Sequence, residues 1–272
     1  MRIKSNPHPA GFAWIIYFLL YRVMRYRYAE VIQNLSRSFP EKSYGEIRRT
    51  AIDFYRHFSR LFAEMPLLMT MPRRHIGRRL VLHNASLIED YQAQGRPVIV
   101  MLGHYGNWEC LSMLPALLRC PVYGVFKPLS NRFFDRLMKR IRSRFGLQLL
   151  TMEEAPRYLL QRRLPPGAYV FVADQSPPQG KHMVDFLHQP TPVITGTERL
   201  AKAVDAAVVY AVIRRQEGHS WEMCFSLITD QPATEAPLEI TRIFNARLEQ
   251  DICQSPAYWL WTHRRWKTNL RS

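Results

Sequence analysis

His104 and Glu109 stand in the run Val98-Ile-Val-Met-Leu-Gly-His-Tyr-Gly-Asn-Trp-Glu109. An imidazole followed five residues later by a carboxylate can form a general base. The acid accepts a hydrogen bond from one ring nitrogen, stabilises the charged ring, and leaves the other nitrogen free to take a substrate proton. On a regular helix the two side chains would diverge by about 140°. They meet only if the histidine lies in a turn and the glutamate in the first turn of a helix, a path that Gly103 and Gly106 allow. With nine histidines in the chain, such a spacing arises about once by chance, since roughly an eighth of residues are acids. The surrounding elements therefore decide what the pair means.

Those elements alternate. Ser43 and Glu46 have capping-box spacing, ahead of a helix whose apolar positions Ile47, Ala51, Phe54, Tyr55, Phe58, Leu61, Phe62 and Met65 recur with helical period. Asn84 is placed to cap a short helix ending at Gly95. A strand over 97–102 delivers His104, a helix over 107–118 follows, and a second strand covers 121–126. Asn131 caps a basic helix that stops at Gly146, and Thr151 with Glu154 opens another reaching about residue 163. A strand over 168–173 ends at Asp174. A helix then starts at Gly196, a strand over 207–213 pairs with 223–228, and helices over 237–253 and 256–268 close the chain.

This order predicts an α/β fold: a single domain with a mixed, mostly parallel central sheet flanked by helices. Ligands of such sheets bind beyond the C-terminal strand ends, where both His104 and Asp174 fall. The chain of 272 residues is long enough for one large domain, and it contains no linker or repeat.

The N-terminus is read separately. Residues 10–21 form an unbroken apolar run of twelve, followed by Arg22, Arg25 and Arg27. Spanning a bilayer takes about 20 apolar residues, so a shallow or re-entrant membrane-associated helix is expected, with a buried core helix as the alternative. Trp14 and the tyrosines at 17, 21, 26 and 28 suit a headgroup zone. The expected division is a membrane-associated segment at 1–30 and a catalytic domain at 31–272.

Charge narrows the partners. Thirty-eight Lys and Arg face 22 acids, a net charge of +16. Residues 1–80 carry fifteen bases and five acids, 127–144 carry seven and one, and no acid follows Asp251. Such a surface attracts polyanions. A nucleic-acid-binding protein would share the charge, but zinc spacings, RNA-binding aromatic motifs and a helix-turn-helix pattern are lacking. Four cysteines without paired spacing suit a reducing compartment, with Cys110 and Cys253 read as core residues.

The block Gly-His-Tyr-Gly-Asn-Trp-Glu resembles the His-x4-Asp/Glu signature of the lysophospholipid acyltransferase superfamily, and most closely the branch that adds secondary acyl chains to lipid A, the lauroyl and myristoyl transferases. The resemblance continues in order through Phe126-Lys-Pro-Leu-Ser-Asn131, Asp135 with Ile-Arg-Ser-Arg-Phe-Gly146, Ala173-Asp-Gln-Ser-Pro177, Thr195-Gly-Thr-Glu-Arg-Leu-Ala201 and Trp259-Leu-Trp-Thr-His-Arg-Arg-Trp-Lys267. It spans most of residues 20–268. Lys127 stands where many members have arginine, and the apolar N-terminal segment is shorter than the usual anchor.

The resemblance implies that His104 is the base and Glu109 its partner in O-acyl transfer. The donor would be a thioester of acyl carrier protein and the acceptor a hydroxyl of a lipid A precursor. Another phospholipid or glycolipid acceptor is the runner-up. Arg142 matches a family arginine and suits a phosphate. Asp174 matches the acid of the Asp-Gln motif, with three open roles: positioning a sugar hydroxyl, holding Arg142, or capping a loop. Gly196, at a helix start, would offer backbone N–H groups to an anion. No metal or cofactor is expected beyond the thioester co-substrate. The partners are an anionic leaflet, the acidic carrier and a phosphorylated glycolipid, at the cytoplasmic face of the inner membrane. The terminal tryptophan-rich segment reads either as a basic amphipathic helix closing the core or as a surface facing headgroups or the carrier.

Overall fold

The computed structural model describes residues 10–161, 166–175, 180–216 and 220–266. Five parallel strands form the heart of a seven-stranded sheet. They are β2 (Val98–Leu102), β3 (Val122–Phe126), β4 (Gln148–Thr151), β5 (Ala168–Val172) and β8 (Ala207–Arg215), flanked by β1 (Leu80–His83) and β9 (Trp221–Thr229). The order is β1-β9-β8-β2-β5-β3-β4; β9 runs antiparallel to β8, and β1 runs parallel to β9. The mixed, mostly parallel sheet and the β8–β9 pairing expected from the alternating pattern are both present. β1 and β4, four residues each, lay outside the expected strands. A separate hairpin, β6 (Met183–Phe186) with β7 (Gln189–Pro192), lies between β5 and β8 in the chain.

β2 lies between β5 and β8, and all five of its side chains are buried. That explains its unbroken apolar run: a central parallel strand has no solvent face. Its register with β5 aligns Leu102 with Val172. Two residues further on, His104 and Asp174 leave adjacent strand ends side by side.

The helices cover the sheet. α3 (Tyr44–Thr70) begins with the expected capping box, Ser43 and Glu46 bonding to each other's backbone N–H. It buries Ile47, Ala51, Phe54, Tyr55, Phe58 and Leu61, while Phe62 stays exposed. α4 (Ser86–Ala93) starts after Ala85; Asn84 adopts a positive φ and donates to the Phe225 carbonyl, so it does not cap the helix. Asn131 caps α5 (Arg132–Ser143), and Thr151 with Glu154 caps α6 (Glu154–Leu159). α7 (Gly196–Ala203) and α8 (Glu239–Gln254) follow as expected.

Two of the expected helices change form. The helix expected over 107–118 is a 3-10 segment, Trp108–Ala116, that includes Pro115, which has no N–H for an α-helical ladder. The closing helix expected over 256–268 is only a 3-10 turn, Pro256–Tyr258, followed by an irregular segment. There the backbone bonds outward: Tyr105 bridges Trp259, the Leu260 N–H donates to the His104 carbonyl, and Gly106 donates to Tyr258. Trp259, Trp261 and Trp266 are buried, so the segment closes the core without being helical. Residues 267 and 268 lie outside the described residues. Cys253 is exposed, contrary to its reading as a core residue.

At the N-terminus, α1 (Ala10–Tyr17) continues as a π-helical turn, Phe18–Val23, before α2 (Tyr28–Ser38). Tyr21 is buried against Tyr17 and Tyr55, whereas Phe12, Trp14, Ile15, Phe18, Leu19 and Val23 are exposed. A buried core helix is thereby excluded. Among the described residues, no helix is long and apolar enough to cross a membrane.

Gly106 holds the site turn in place. Its φ is +66°, and a Cβ there would sit 2.1 Å from the Ile213 carbonyl oxygen. Gly95 also has a positive φ, but its Cβ would meet open space. Gly106→Ala is expected to destabilise the fold by roughly 3 kcal/mol or more, against about 1 kcal/mol for Gly95→Ala. Thermal melts of the two variants measure the difference, and equal shifts would show that the turn tolerates a side chain.

Candidate active site

Each residue of the block Gly103–Glu109 has a distinct structural job. The His104 backbone N–H donates to Asp174 Oδ2 at 2.9 Å, and Nδ1 lies 2.6 Å from Asp174 Oδ1. Since a carboxylate can only accept, Nδ1 carries a proton, and Nε2 is the nitrogen whose lone pair the neutral ring would present. Gln175 Nε2 stands 3.4 Å from that nitrogen, and the Trp108 ring lies edge-on to the imidazole at 5.2 Å. Tyr105 bridges the C-terminal segment. Asn107 donates to the buried Glu64 of α3 at 2.7 Å, and Trp221 donates to the same oxygen.

Asp174 is buried, and Trp259 Nε1 donates to its Oδ2 at 2.8 Å. Burial alone would raise its pKa. The charge and hydrogen bonds of His104, with the field of Arg265, outweigh that and hold the carboxyl well below the usual range. An acid with this setting fixes the tautomer of the ring and stabilises its protonated form.

Glu109, the acid expected to orient the imidazole, is engaged elsewhere. It does lie in the first helical turn after the histidine, as required, but its two oxygens accept from Arg142 Nε at 2.9 Å and Nη2 at 2.6 Å. The correction has a topological cause. Adjacent parallel strands carry Asp174 to His104, leaving Glu109 to meet the guanidinium arriving from α5. Arg142 is therefore held by Glu109, not by Asp174. The Nε/Nη2 edge is occupied, so an anion would meet the other edge of the guanidinium, formed by Nη1 and the second Nη2 hydrogen.

His104, Glu109, Arg142 and Gly196 all line one cavity of about 420 Å³. Its walls are largely apolar, with Leu111, Leu147, Leu149, Val170 and Leu200 among them, and Lys127 is also part of its lining. Gly196 begins α7 at this wall. Asp174 lies behind the imidazole, where its carboxylate serves the ring. The cavity can thus hold an apolar chain against an oriented base, with a fixed cation nearby.

Sequence reasoning missed three participants: Trp259, Gln175 and Trp108. Gln175 adjoins a chosen residue, and Trp108 lies inside the block. Trp259 carried no local signal, since its role depends on a contact 85 residues away.

Below the turn, His57 is buried with Nε2 at 3.2 Å from the Gly106 carbonyl. Nε2 must therefore donate, and the ring is neutral. Burial pushes its pKa down to about 3, the Gly106 bond only partly opposing, and burial likewise lowers His263 to about 4.

A family model for bacterial lipid A biosynthesis acyltransferases matches residues 10–268. The lipid A biosynthesis lauroyltransferase of Escherichia coli K12 is 27% identical over 258 residues, covering 92% of this chain and 82% of that protein. The lipid A biosynthesis palmitoleoyltransferase of the same strain is 21% identical over 238 residues, covering 87% and 77%. A lipid A biosynthesis acyltransferase of Haemophilus influenzae is 22% identical over 195 residues, covering 70% and 59%.

Two predictions follow from the site's geometry. Asp174→Asn is expected to lower turnover about 10³–10⁴-fold, by disturbing the tautomer. Glu109→Gln, which loosens Arg142, is expected to cost about 10²-fold; a larger loss at Glu109 would reverse the assignment. For the fully buried His57, the unfolded chain takes up a proton near pH 6.5 that the folded chain refuses. Stability is thus fully present above about pH 6.5 and falls as pH drops toward the folded value, by about 1.4 kcal/mol per unit for this ring, with the half-buried His263 acting in the same direction. Urea unfolding between pH 7 and 5 should show this slope, and His57→Gln should reduce it; a flat profile would contradict the neutral burial.

Proposed function

The chain belongs to the bacterial lipid A biosynthesis acyltransferase family, and from that premise we propose that it moves a fatty acyl chain from the thioester of acyl carrier protein to a hydroxyl of a phosphorylated lipid A precursor. It is an O-acyltransferase. The observation that carries the reading is His104 at the wall of an apolar cavity, with Nδ1 secured by buried Asp174 and Nε2 the nitrogen left for substrate.

In this scheme Nε2 takes the acceptor's hydroxyl proton as the oxygen attacks the thioester carbonyl. Asp174 stabilises the imidazolium that forms. The tetrahedral oxyanion collapses with loss of thiolate, a good leaving group because thiol pKa values lie near 8.5, and His104 returns the proton to sulfur. The apolar wall receives the acyl chain. Arg142, through its Nη1/Nη2 edge, and Lys127 supply positive charge for phosphate or the oxyanion. Glu109 acts at one remove by fixing Arg142, so the His–Glu dyad suggested by spacing becomes a His–Asp dyad with a Glu–Arg pair beside it.

The basic surface suits three anionic partners: leaflet, carrier and phosphorylated acceptor. We place the enzyme at the cytoplasmic face of the inner membrane, with the exposed apolar face of α1 in the leaflet. His104→Ala is expected to reduce transfer by about 10²–10⁴-fold in purified protein. Mass spectrometry of lipid A from cells lacking the chain should show one acyl group fewer. Near-normal transfer by His104→Ala, or unchanged lipid A, would overturn the proposal.

A further inference from the structure

The start of α5 is built as an exposed apolar corner ringed by cations. Phe133 is 64% exposed and Phe134 54%, their rings in edge contact at 5.5 Å. Apolar side chains this open are ordinary when single, but a contiguous cluster marks a surface that something covers. Leu129, bonded through its N–H to Asp135 in the first turn of α5, and Met152 are 48% and 46% exposed and also line the catalytic cavity. Leu129 thus joins the exposed helix start to the apolar lining of the site.

The corner is held rigidly. Asn131 Oδ1 accepts from the backbone N–H groups of both Phe133 and Phe134, and Asp135 Oδ1 accepts from Leu129 N–H at 2.9 Å. Around it stand the exposed Arg132, Arg136 and Arg140. They fall within 80° on the helix, a stripe alongside Phe133. Residues 127–144 hold seven bases and one acid.

We infer that this corner is a second membrane-contact element, which seats the mouth of the cavity on an anionic leaflet. Adjacent phenyl rings projecting from a helix start, with guanidiniums beside them, match the pairing of apolar insertion and headgroup attraction. Continuity with an apolar cavity favours a bilayer over a protein partner, since a lipid's chains can then pass from leaflet to base without crossing water. Attachment also needs it: a single modest apolar anchor binds a membrane weakly and reversibly, and stable residence takes two signals. α1, with its short exposed face, supplies one; the α5 corner supplies the other, at the site itself.

The inference rests on the acyl-transfer reading for its purpose, yet its test is separate. The full chain carrying His104→Ala is mixed with vesicles of phosphatidylglycerol and phosphatidylcholine, and binding is measured by co-sedimentation. Adding Phe133→Ser and Phe134→Ser should weaken vesicle binding about tenfold or more. Phe133→Leu with Phe134→Leu should restore most of it, which a folding defect would not allow. With His104 intact, the serine variant should lose rate on vesicle-borne acceptor through KM, while detergent-dispersed acceptor is used at the normal rate. Unchanged vesicle binding would overturn the inference. So would a loss confined to carrier-linked donor in detergent, which would make the corner a protein contact. A failure of acyl transfer itself would leave the vesicle result standing.

Discussion

A buried carboxylate must find donors, and the way Asp174 finds them organises this molecule. An ionised acid removed from water costs several kcal/mol unless its lone pairs are satisfied. Asp174 accepts from the backbone and ring of His104 and from the indole of Trp259. These donors come from the end of β2 and from the last described segment of the chain, while Asp174 itself stands at the end of β5. The base is therefore positioned only when β2 and β5 are paired and the C-terminal segment has docked. The tryptophan cluster in that segment, with Trp261 edge-on to Trp259 at 4.7 Å, is the apolar part of the same assembly. Local chemistry and global folding are coupled through one side chain.

The second acid in the site works on a different problem. Glu109 holds Arg142 by two bonds, in a pair where the arginine side chain keeps 27% of its exposure and the glutamate 8%. Such a pair adds little stability, because desolvation offsets most of the attraction. What it provides is a cation that does not swing. An unpaired arginine on a cavity wall would sample many rotamers and lose entropy on meeting an anion, whereas one already braced loses less. Two carboxylates thus divide the work: Asp174 orients the imidazole and Glu109 braces the guanidinium.

The sequence made the architecture readable and left the pairing of site residues hidden, for a physical reason. Strands such as 97–102 and 168–173 announce themselves by composition, and caps such as Ser43, Asn131 and Thr151 by local hydrogen bonding. These signals are short-range. That β5 lies beside β2, with β3 one place further out, is a property of strand order, which no local pattern encodes. Hence His104 and Asp174 could each be placed at a strand end, while the nearer acid in sequence was matched to the imidazole. The terminal segment shows the same limit. Its basic and aromatic residues have helical character in isolation, but backbone bonds to the His104 turn and burial of three indoles override that propensity. The short edge strands β1 and β4 escaped for a related reason: four residues give too few alternations to declare a period.

The charge of the chain and the charge at the base follow different rules. A net +16 is spread over exposed Lys and Arg, and its field acts over roughly a Debye length, about 8 Å in physiological salt. That suffices to concentrate anions near the surface and to orient them toward basic clusters. Near His104 two cations have acidic counterparts: Arg142 is bonded to Glu109, and Arg265, buried against Phe186, lies in the field of Asp174. The two scales are thus separated. A strongly cationic exterior acts at a distance on any anion, while at the imidazole the paired carboxylates set the local field. If the arginines around the imidazole lacked acidic counterparts, the field that recruits substrate would also oppose the imidazolium on which proton transfer depends.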